Sequence, residues 1–452
     1  MGESATQFSH EEEQALAKVS RRILWFLFVL AVINYLDRTN IGFAQITMGK
    51  DLGVTASVFG LSVTIFSIVY ALFEIPSNLA LQRFGARIWL ARIMVTWGIA
   101  SAGCAFASGP ASLLTLRGLV GAAEAGFIPG LVLYLTYWYP QYHRARAQSW
   151  FMIAQPVAIA GGSIISGLLL GLDGFFGLQG WRWLFLIEGV PAVLLGIVIL
   201  FYLTDKPMGT RWLTLDEQKL IENAVQRDAE ARERSSVQPS TTMWGQILSR
   251  NMLIISAAYF TLIGNFGAAG YWLPQIVRGM SRPDQPYWMT GLIAAIPPLC
   301  TLIAMPIWAA YSDRRRERFW SSIIPMAVAG LGWIMAAILT DPAMRLLGLV
   351  VAGVASTPVW SLFFTMPSAV LPRSAHAAGI AFMNTIGMCG AATAPMVMGV
   401  LRDMTGGFSA PMTVIGLSLI VGASLMLLVP RYLLIGDGTP PQALKSSAAG
   451  VT

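Results

Sequence analysis

Two adjacent charged residues, Asp37 and Arg38, lie well inside the apolar stretch 22–46. In an α-helix, which rises ~1.5 Å per residue, Asp37 lies about 20 Å from Ile23, within the ~30 Å hydrocarbon core of a membrane. A charge at that depth costs ~3 kcal/mol or more and persists only where it faces a protein interior or a watery cavity. Adjacent helical side chains point about 100° apart and pair poorly with each other. This position favours a functional role for Arg38, and a structural ion pair is the alternative.

A second pair of charges, Arg117 and Glu124, lies in another apolar stretch. Seven residues of helix place both on one face, about 10.5 Å apart. The residues between them include Gly118, Gly121, Ala122 and Ala123. Such small residues leave room for a ligand or let another helix approach closely. Because a guanidinium fork matches a carboxylate, Arg38 and Arg117 together predict binding of an anionic solute.

Glu124 and Asp37 are the candidate proton-coupling groups. A carboxyl group whose arginine partner is taken by a substrate gains a proton more readily, which links substrate binding to proton binding. A fixed salt bridge is the alternative for Glu124, and orientation of Arg38 is the alternative for Asp37. Further candidates for the cavity lining are Tyr35, Tyr70, Gln155, Trp360 and Asn384. For each of these, ordinary helix packing is the alternative.

The composition requires an integral membrane protein. Of the 452 residues, 55% are hydrophobic and only 12% are charged, whereas about 25% of a soluble domain is charged. Cys104, Cys300 and Cys389 all lie in apolar segments, and the three histidines are dispersed. We therefore expect no disulfide, metal site, cofactor or catalytic group. The N-terminus is polar and acidic, which is not typical of a cleavable signal.

Twelve apolar stretches are long enough to form membrane-spanning helices. They fall near 22–46, 57–80, 88–108, 111–139, 147–171, 183–204, 252–276, 288–311, 319–339, 345–370, 376–402 and 410–434. The predicted fold is all-α, with two six-helix bundles at 22–204 and 251–435. Between them lies a linker, 205–250, in which Thr214 and Glu217 predict a capping box at the start of a helix. The tails are 1–21 and 436–452.

The distribution of basic residues predicts the orientation. With the N-terminus inside, 22 of the 30 Lys and Arg residues fall on the cytoplasmic side, 6 fall outside, and Arg38 and Arg117 lie in the membrane. Because Lys and Arg mark the cytoplasmic face, both tails and the linker are predicted to be cytoplasmic. For a bacterial protein this means the inner (plasma) membrane.

The two halves repeat a loop pattern. The segments are NLALQRFGAR at 78–87 and AAYSDRRRER at 309–318. Corresponding positions are Gln82 and Asp313, Arg83 and Arg314, and Arg87 and Arg318. Parallel six-helix repeats are typical of transporters, with the site near the membrane midplane between the halves. The basic residues and Asp313 are predicted to take part in gating.

Several segments resemble one known family. They are NYLDRTNIGFA (34–44), EIPSNLALQRFGARIWLARIMVTWG (74–98), RGLVGAAEAGFIPG (117–130), LYLTYWYP (133–140), GWRWLFLIEGVPAVLLG (180–196), LTDKPMGTRWLTLDEQ (203–218) and AAGIAFMNTIG (377–387). The chain resembles the major facilitator superfamily and, within it, the anion:cation symporter family, including bacterial permeases for tartrate, sugar acids, phthalate and hydroxyphenylacetate. The likeness covers about 25–435 and is strongest in the first half.

The resemblance implies roles for particular residues. It assigns substrate binding and proton coupling to Asp37, Arg38, Arg117 and Glu124, and the cavity lining to the five residues named above. The family loop after the second helix usually begins with Gly and carries an acid, where this chain has Asn78 and Gln82. A neutral Gln82 cannot form the salt bridge of that acid, so the resemblance gives this loop a weaker claim to gating than the loop with Asp313.

The sequence predicts a proton-coupled importer of a small organic carboxylate, acting by alternating access. We expect a monomer in the lipid bilayer whose partners are the organic anion and protons, with no role for nucleic acid. An anion exchanger or an efflux pump of the same fold is the first alternative. A membrane enzyme or a sensor is the second, and no nucleophile motif, metal cluster or signalling domain favours it.

Overall fold

The computed structural model describes residues 9–235, 243–315, 318–372 and 375–434, and all regular structure in this part of the chain is helical. Eight α-helices precede the linker: α1 (His10–Val19), α2 (Trp25–Asp51), α3 (Ala56–Phe84), α4 (Ala86–Gly103), α5 (Pro110–Glu124), α6 (Phe127–Thr136), α7 (Gln141–Leu170) and α8 (Gly180–Tyr202). The linker contains α9 (Leu215–Ser235) and α10 (Met243–Ile247). The remaining helices are α11 (Arg250–Met280), α12 (Tyr287–Arg315), α13 (Phe319–Ile338), α14 (Pro342–Phe363), α15 (Pro367–Val370), α16 (His376–Thr405) and α17 (Ser409–Met426).

Each of the twelve predicted spans consists mainly of helix, although the span predicted at 345–370 is interrupted between α14 and α15. Eleven described spans are long and apolar enough to cross a membrane. The twelfth span, α2, is long enough, but its centre contains Asn34, Asp37, Arg38, Thr39 and Asn40. These polar residues lower the mean hydropathy of α2. Four of them, Asn34, Asp37, Thr39 and Asn40, are buried in the protein interior, where polar groups are tolerated in a membrane-spanning helix. The predicted capping box of α9 is confirmed: Glu217 N–H donates to Thr214 Oγ1 (3.2 Å), and Thr214 N–H donates to Glu217 Oε2 (2.8 Å).

The fourth span, expected to be continuous over 111–139, is broken between α5 and α6. Gly126 adopts φ +83°, a left-handed conformation that glycine tolerates and that ends an α-helix. A Cβ atom at this position would lie 2.7 Å from Ser77 Oγ, so the backbone also approaches α3 too closely for a side chain. The break places Glu124 at the last residue of α5.

The N-terminal tail, expected only to be polar and cytoplasmic, contains helix α1. Its N-terminus has a reciprocal capping box, in which Glu12 N–H donates to Ser9 Oγ and Ser9 N–H donates to Glu12 Oε2. Glu12 is buried and also accepts a hydrogen bond from Arg227 of α9. Lys18 pairs with Glu217 at 2.9 Å. Helix α1 therefore docks on the linker helix through two ion pairs.

The chain divides into two compact units. The first comprises Met1–Asn40, Ile65–Gly162 and Leu172–Ser236, and the second comprises Ile41–Thr64, Ser163–Gly171 and Val237–Thr452. The boundaries cut through α2, α3 and α7, so one end of each of these helices packs within the second unit. The arginine and carboxylate candidates of α2 and α5 all lie within the first unit.

Candidate functional site

The first unit contains a buried cluster of charges built by α2 and α5. Glu124 is fully buried, and its Oε1 atom accepts hydrogen bonds from Arg38 Nε (2.6 Å) and Asn34 Nδ2 (2.8 Å). Asn34 and Arg38 are one turn apart on α2 and therefore share a face. Glu124 Oε2 is also buried and has no hydrogen-bond partner among the described residues. The carboxylate of α5 thus pairs with the arginine of α2.

Arg117 lies two turns before Glu124 on α5 and is 99% buried. Its Nε and Nη2 atoms have no hydrogen-bond partner among the described residues. Buried guanidinium N–H groups are nearly always paired, because leaving them unpaired costs several kcal/mol. Arg117 is therefore a buried cation in the first unit with the capacity to bind an anion.

Two aromatic residues of α3 lie against these arginines. The Arg38 guanidinium carbon lies 4.9 Å from the centre of the Tyr70 ring and 5.7 Å from that of Phe66. The Arg117 guanidinium carbon lies 4.5 Å from the centre of the same Phe66 ring. The two guanidinium carbons therefore lie within about 10 Å of each other. Phe66 was not among the predicted site residues, and its spacing of one helical turn from Tyr70 is the signal that could have identified it.

Asp37 accepts hydrogen bonds from two residues of α4 and from one residue of its own helix. Its Oδ2 atom accepts a hydrogen bond from Trp97 Nε1 (2.8 Å). Its Oδ1 atom accepts hydrogen bonds from Ser101 Oγ and from Asn40 Nδ2 (3.2 Å). These hydrogen bonds join α2 to α4 at the residue next to Arg38.

The predicted lining residues are divided between the units. In the first unit, Tyr35 is half-buried one turn before Arg38, and Gln155 is half-buried on α7. In the second unit, Trp360 Nε1 donates to the Tyr259 hydroxyl at 3.0 Å, whereas Asn384 is exposed on α16.

An acid that the sequence interpretation overlooked holds the loop between α3 and α4. Asp205, just after α8, accepts a hydrogen bond from Arg87 N–H at 2.8 Å. Gly85 adopts φ +89°, and a Cβ atom there would lie 2.9 Å from the Asp205 carboxylate. The loop that lacks an acid at Gln82 is therefore capped by an acid from elsewhere in the same unit. Arg83 is exposed.

The second predicted gating loop is only partly described. Arg318 Nη1 donates to the Thr365 carbonyl oxygen at 3.4 Å, and Arg318 N–H donates to the Leu434 carbonyl oxygen at 3.1 Å. The side chains of Asp313 and Arg314 lie outside the described part of the chain. The predicted gating role of this loop stays a prediction.

The chain matches known transporters along most of its length. The model of the Major Facilitator Superfamily matches residues 27–395 and 289–449. A protein of Agrobacterium vitis named "Putative tartrate transporter" is 39% identical over 93% of this chain and 92% of its own length. A protein of Acinetobacter baumannii named "Quinolone resistance transporter" is 32% identical over 92% of this chain and 95% of its own length.

Solved structures confirm the fold. A bacterial homologue of the human lysosomal transporter Spinster superposes with a TM-score of 0.69 at 18% identity, covering 90% of this chain and 96% of that one. With a family model matching more than half of the chain and an all-helical structure of this type, the chain belongs to the Major Facilitator Superfamily of membrane transporters.

Proposed function

We propose that this transporter imports a small organic carboxylate together with protons, the substrate being a hydroxy acid such as tartrate, a sugar acid or an aromatic acid. The observation that carries the proposal is the buried guanidinium of Arg117, whose Nε and Nη2 atoms have no hydrogen-bond partner among the described residues. It lies within about 10 Å of the Arg38–Glu124 pair. The name of the Agrobacterium vitis relative supports the substrate class.

Binding begins at the arginines. A carboxylate that reaches Arg117 satisfies its Nε and Nη2 donors, which are buried without partners in the part of the chain that the structure describes, so binding is favoured by more than the new hydrogen bonds alone. The faces of Phe66 and Tyr70 hold the guanidinium groups in place by cation–π contacts. An anion drawn to Arg38 competes directly with Glu124, because both need the same guanidinium.

In the proposed mechanism, Glu124 is the residue that binds the transported proton. If the substrate takes Arg38, an ionised Glu124 is left as a buried charge with only the Asn34 amide as partner, which is costly. A proton on Oε2 removes that charge and breaks no hydrogen bond, because this oxygen has no partner among the described residues. Asp37 is the second candidate, but its two oxygens accept three hydrogen bonds, at least one of which protonation would cost.

Proton coupling also offsets the effect of the membrane potential on anion entry. A membrane potential that is negative inside opposes entry of an anion by ~2.3 kcal/mol per charge per 100 mV. One proton per monoanion removes this penalty, and a pH gradient then drives accumulation.

The test is Glu124→Gln, which imitates the protonated side chain. In proteoliposomes, the variant should still exchange labelled substrate in counterflow at equal pH on both sides. It should fail to concentrate substrate when a pH gradient is imposed, whereas the wild-type protein does so. If the variant accumulates substrate in response to the gradient, the proton is carried elsewhere, and Asp37 is tested next.

A second candidate function is efflux or anion exchange by the same fold. The relative of Acinetobacter baumannii named for quinolone resistance favours this alternative. Counterflow in the absence of a pH gradient, without net gradient-driven uptake by the wild-type protein, would identify an exchanger. Uptake that rises with an inward proton gradient supports symport.

A further inference from the structure

The first turns of α3 pack in backbone contact with α16 within the second unit. A Cβ atom on Gly60 would lie 2.6 Å from the Pro395 carbonyl oxygen, and one on Gly399 would collide with the Ala56 carbonyl oxygen. Thr64 Oγ1 donates to the Ala392 carbonyl oxygen at 2.7 Å. The two helices are therefore too close for side chains between them, and small shifts in either helix change this contact.

Asp403 of α16 closes the N-terminus of α3. Its Oδ1 atom accepts a hydrogen bond from Ala56 N–H (3.1 Å). Its Oδ2 atom accepts hydrogen bonds from Ser57 N–H (2.7 Å) and Ser57 Oγ (2.5 Å). The first N–H groups of a helix lack partners within the helix and carry a partial positive charge, which a carboxylate neutralises. The N-terminus of α3 is thus capped by a residue 346 positions further along the chain.

The position of Asp403 is unfavourable for its own helix. It lies in the last turn of α16, where the partial charge of the helix is negative and an acid is locally destabilising. The adjacent Arg402 donates to Gln275 Oε1 at 2.8 Å. Asp403 is thus unfavourable for the end of α16 but favourable for the start of α3. A residue that breaks a local rule in this way indicates that the contact between the two helices has a function.

We propose that Asp403 is a positioning residue for transport, which holds the end of α3 against α16 and releases it when this end of the transporter opens. Helix α3 also carries Phe66 and Tyr70, whose rings lie against Arg117 and Arg38. Alternating access requires that each end of the protein open in turn, which must break contacts of this kind. The proposal and its labelling test depend on neither the identity of the substrate nor the coupling ion, whereas the uptake test uses labelled tartrate and rests on the proposed function.

The test measures exposure of the α3–α16 contact directly. Thr64→Cys is introduced into a protein whose three cysteines are replaced by alanine, and the labelling rate by a water-soluble maleimide is measured in nanodiscs. Both faces are open to the reagent there, so the result does not depend on the predicted orientation. Asp403→Asn, which keeps the size but removes the charge, should raise the labelling rate at least fivefold. In proteoliposomes, it should also lower the KM for uptake from the side of Asp403 at least threefold, because more of the protein is open to that side.

Asp341→Asn is the matched control, because Asp341 caps its own helix α14 through Met344 N–H at 3.0 Å. It should leave the labelling rate within twofold of the parent. An unchanged rate in Asp403→Asn, or an equal rise in the control, overturns the proposal. If Asp403→Asn does not fold, Ser57→Ala is the second test, because it removes one of the three hydrogen bonds to Asp403. A smaller rise in the labelling rate then supports the proposal, whereas an unchanged labelling rate overturns it.

Discussion

At the scale of single residues, the charged side chains of α2 and α5 do not pair with the opposite charge on their own helix. Arg38 and Asp37 are adjacent on α2, yet Asp37 is bound by Trp97 and Ser101, and Arg38 reaches Glu124 of α5. Arg117 shares a helix with Glu124 but is not its hydrogen-bond partner. The result is one paired arginine and one buried arginine whose Nε and Nη2 donors are unused among the described residues.

Replacement of Arg117 by lysine should weaken substrate binding. A charge-assisted hydrogen bond contributes about 1.5–3 kcal/mol, and an ammonium cannot reproduce the planar fork, so we expect the KM for uptake to rise about tenfold to a hundredfold. Arg38→Lys should act in the same direction and also loosen Glu124. Arg92→Lys, at an exposed position of α4, is the control and should leave the KM within twofold. Normal uptake affinity in Arg117→Lys would remove Arg117 from the binding site.

At the scale of elements, two ion pairs join α1 to the linker helix, and α1 also buries Ala15, Leu16 and Val19. Glu12 contacts both helices. One carboxylate oxygen completes the capping box of α1, and the other accepts a hydrogen bond from Arg227 of α9. Lys18 and Glu217 form the second pair, in which 46% of the Lys18 side chain is exposed to solvent. The exposed pair contributes little by itself, so the buried Glu12 is the important contact.

Glu12→Gln should therefore loosen α1. Loss of a charged cap and of its ion pair costs about 1–2 kcal/mol, so amide hydrogen exchange in α1 should become about tenfold faster. Glu13→Gln, an exposed neighbour in the same turn, should change exchange less than twofold. Equal exchange rates in the two variants would mean that α1 is not held through Glu12.

At the scale of the whole molecule, the ratio of 22 to 6 basic residues carries the proposed orientation, with both tails and the linker in the cytoplasm. The docking of α1 on α9 is consistent with that proposal, because it requires the N-terminal tail and the linker to lie on one side of the membrane. Placement in the plasma membrane of a bacterial cell is part of the same proposal.

Cysteine labelling tests the orientation. In a protein lacking its three native cysteines, Lys219→Cys on the exposed face of α9 should be shielded from an impermeant thiol reagent in intact cells. Lys50→Cys, at the exposed end of α2, should react with the same reagent. Labelling of the first and protection of the second would reverse the orientation.

The amino-acid sequence was sufficient to predict the fold class, because a chain with so few charges and twelve apolar stretches of this length forms membrane-spanning helices. It also identified the four charged residues of the cluster in the first unit and the capping box of α9, since depth in an apolar stretch and local spacing are properties of the sequence alone.

The hydrogen-bond partners of the charged residues could be found only in the folded chain. Pairing of Arg38 with Glu124 joins residues 86 positions apart, and capping of α3 by Asp403 joins residues 346 positions apart. Neither spacing has a local signature. The break at Gly126 and the contact at Gly399 depend on a neighbouring helix approaching within van der Waals distance. Such contacts arise from packing between segments that are distant in the sequence. Local sequence patterns therefore identify the residues that could take part in binding, but they do not show which of these residues contact each other.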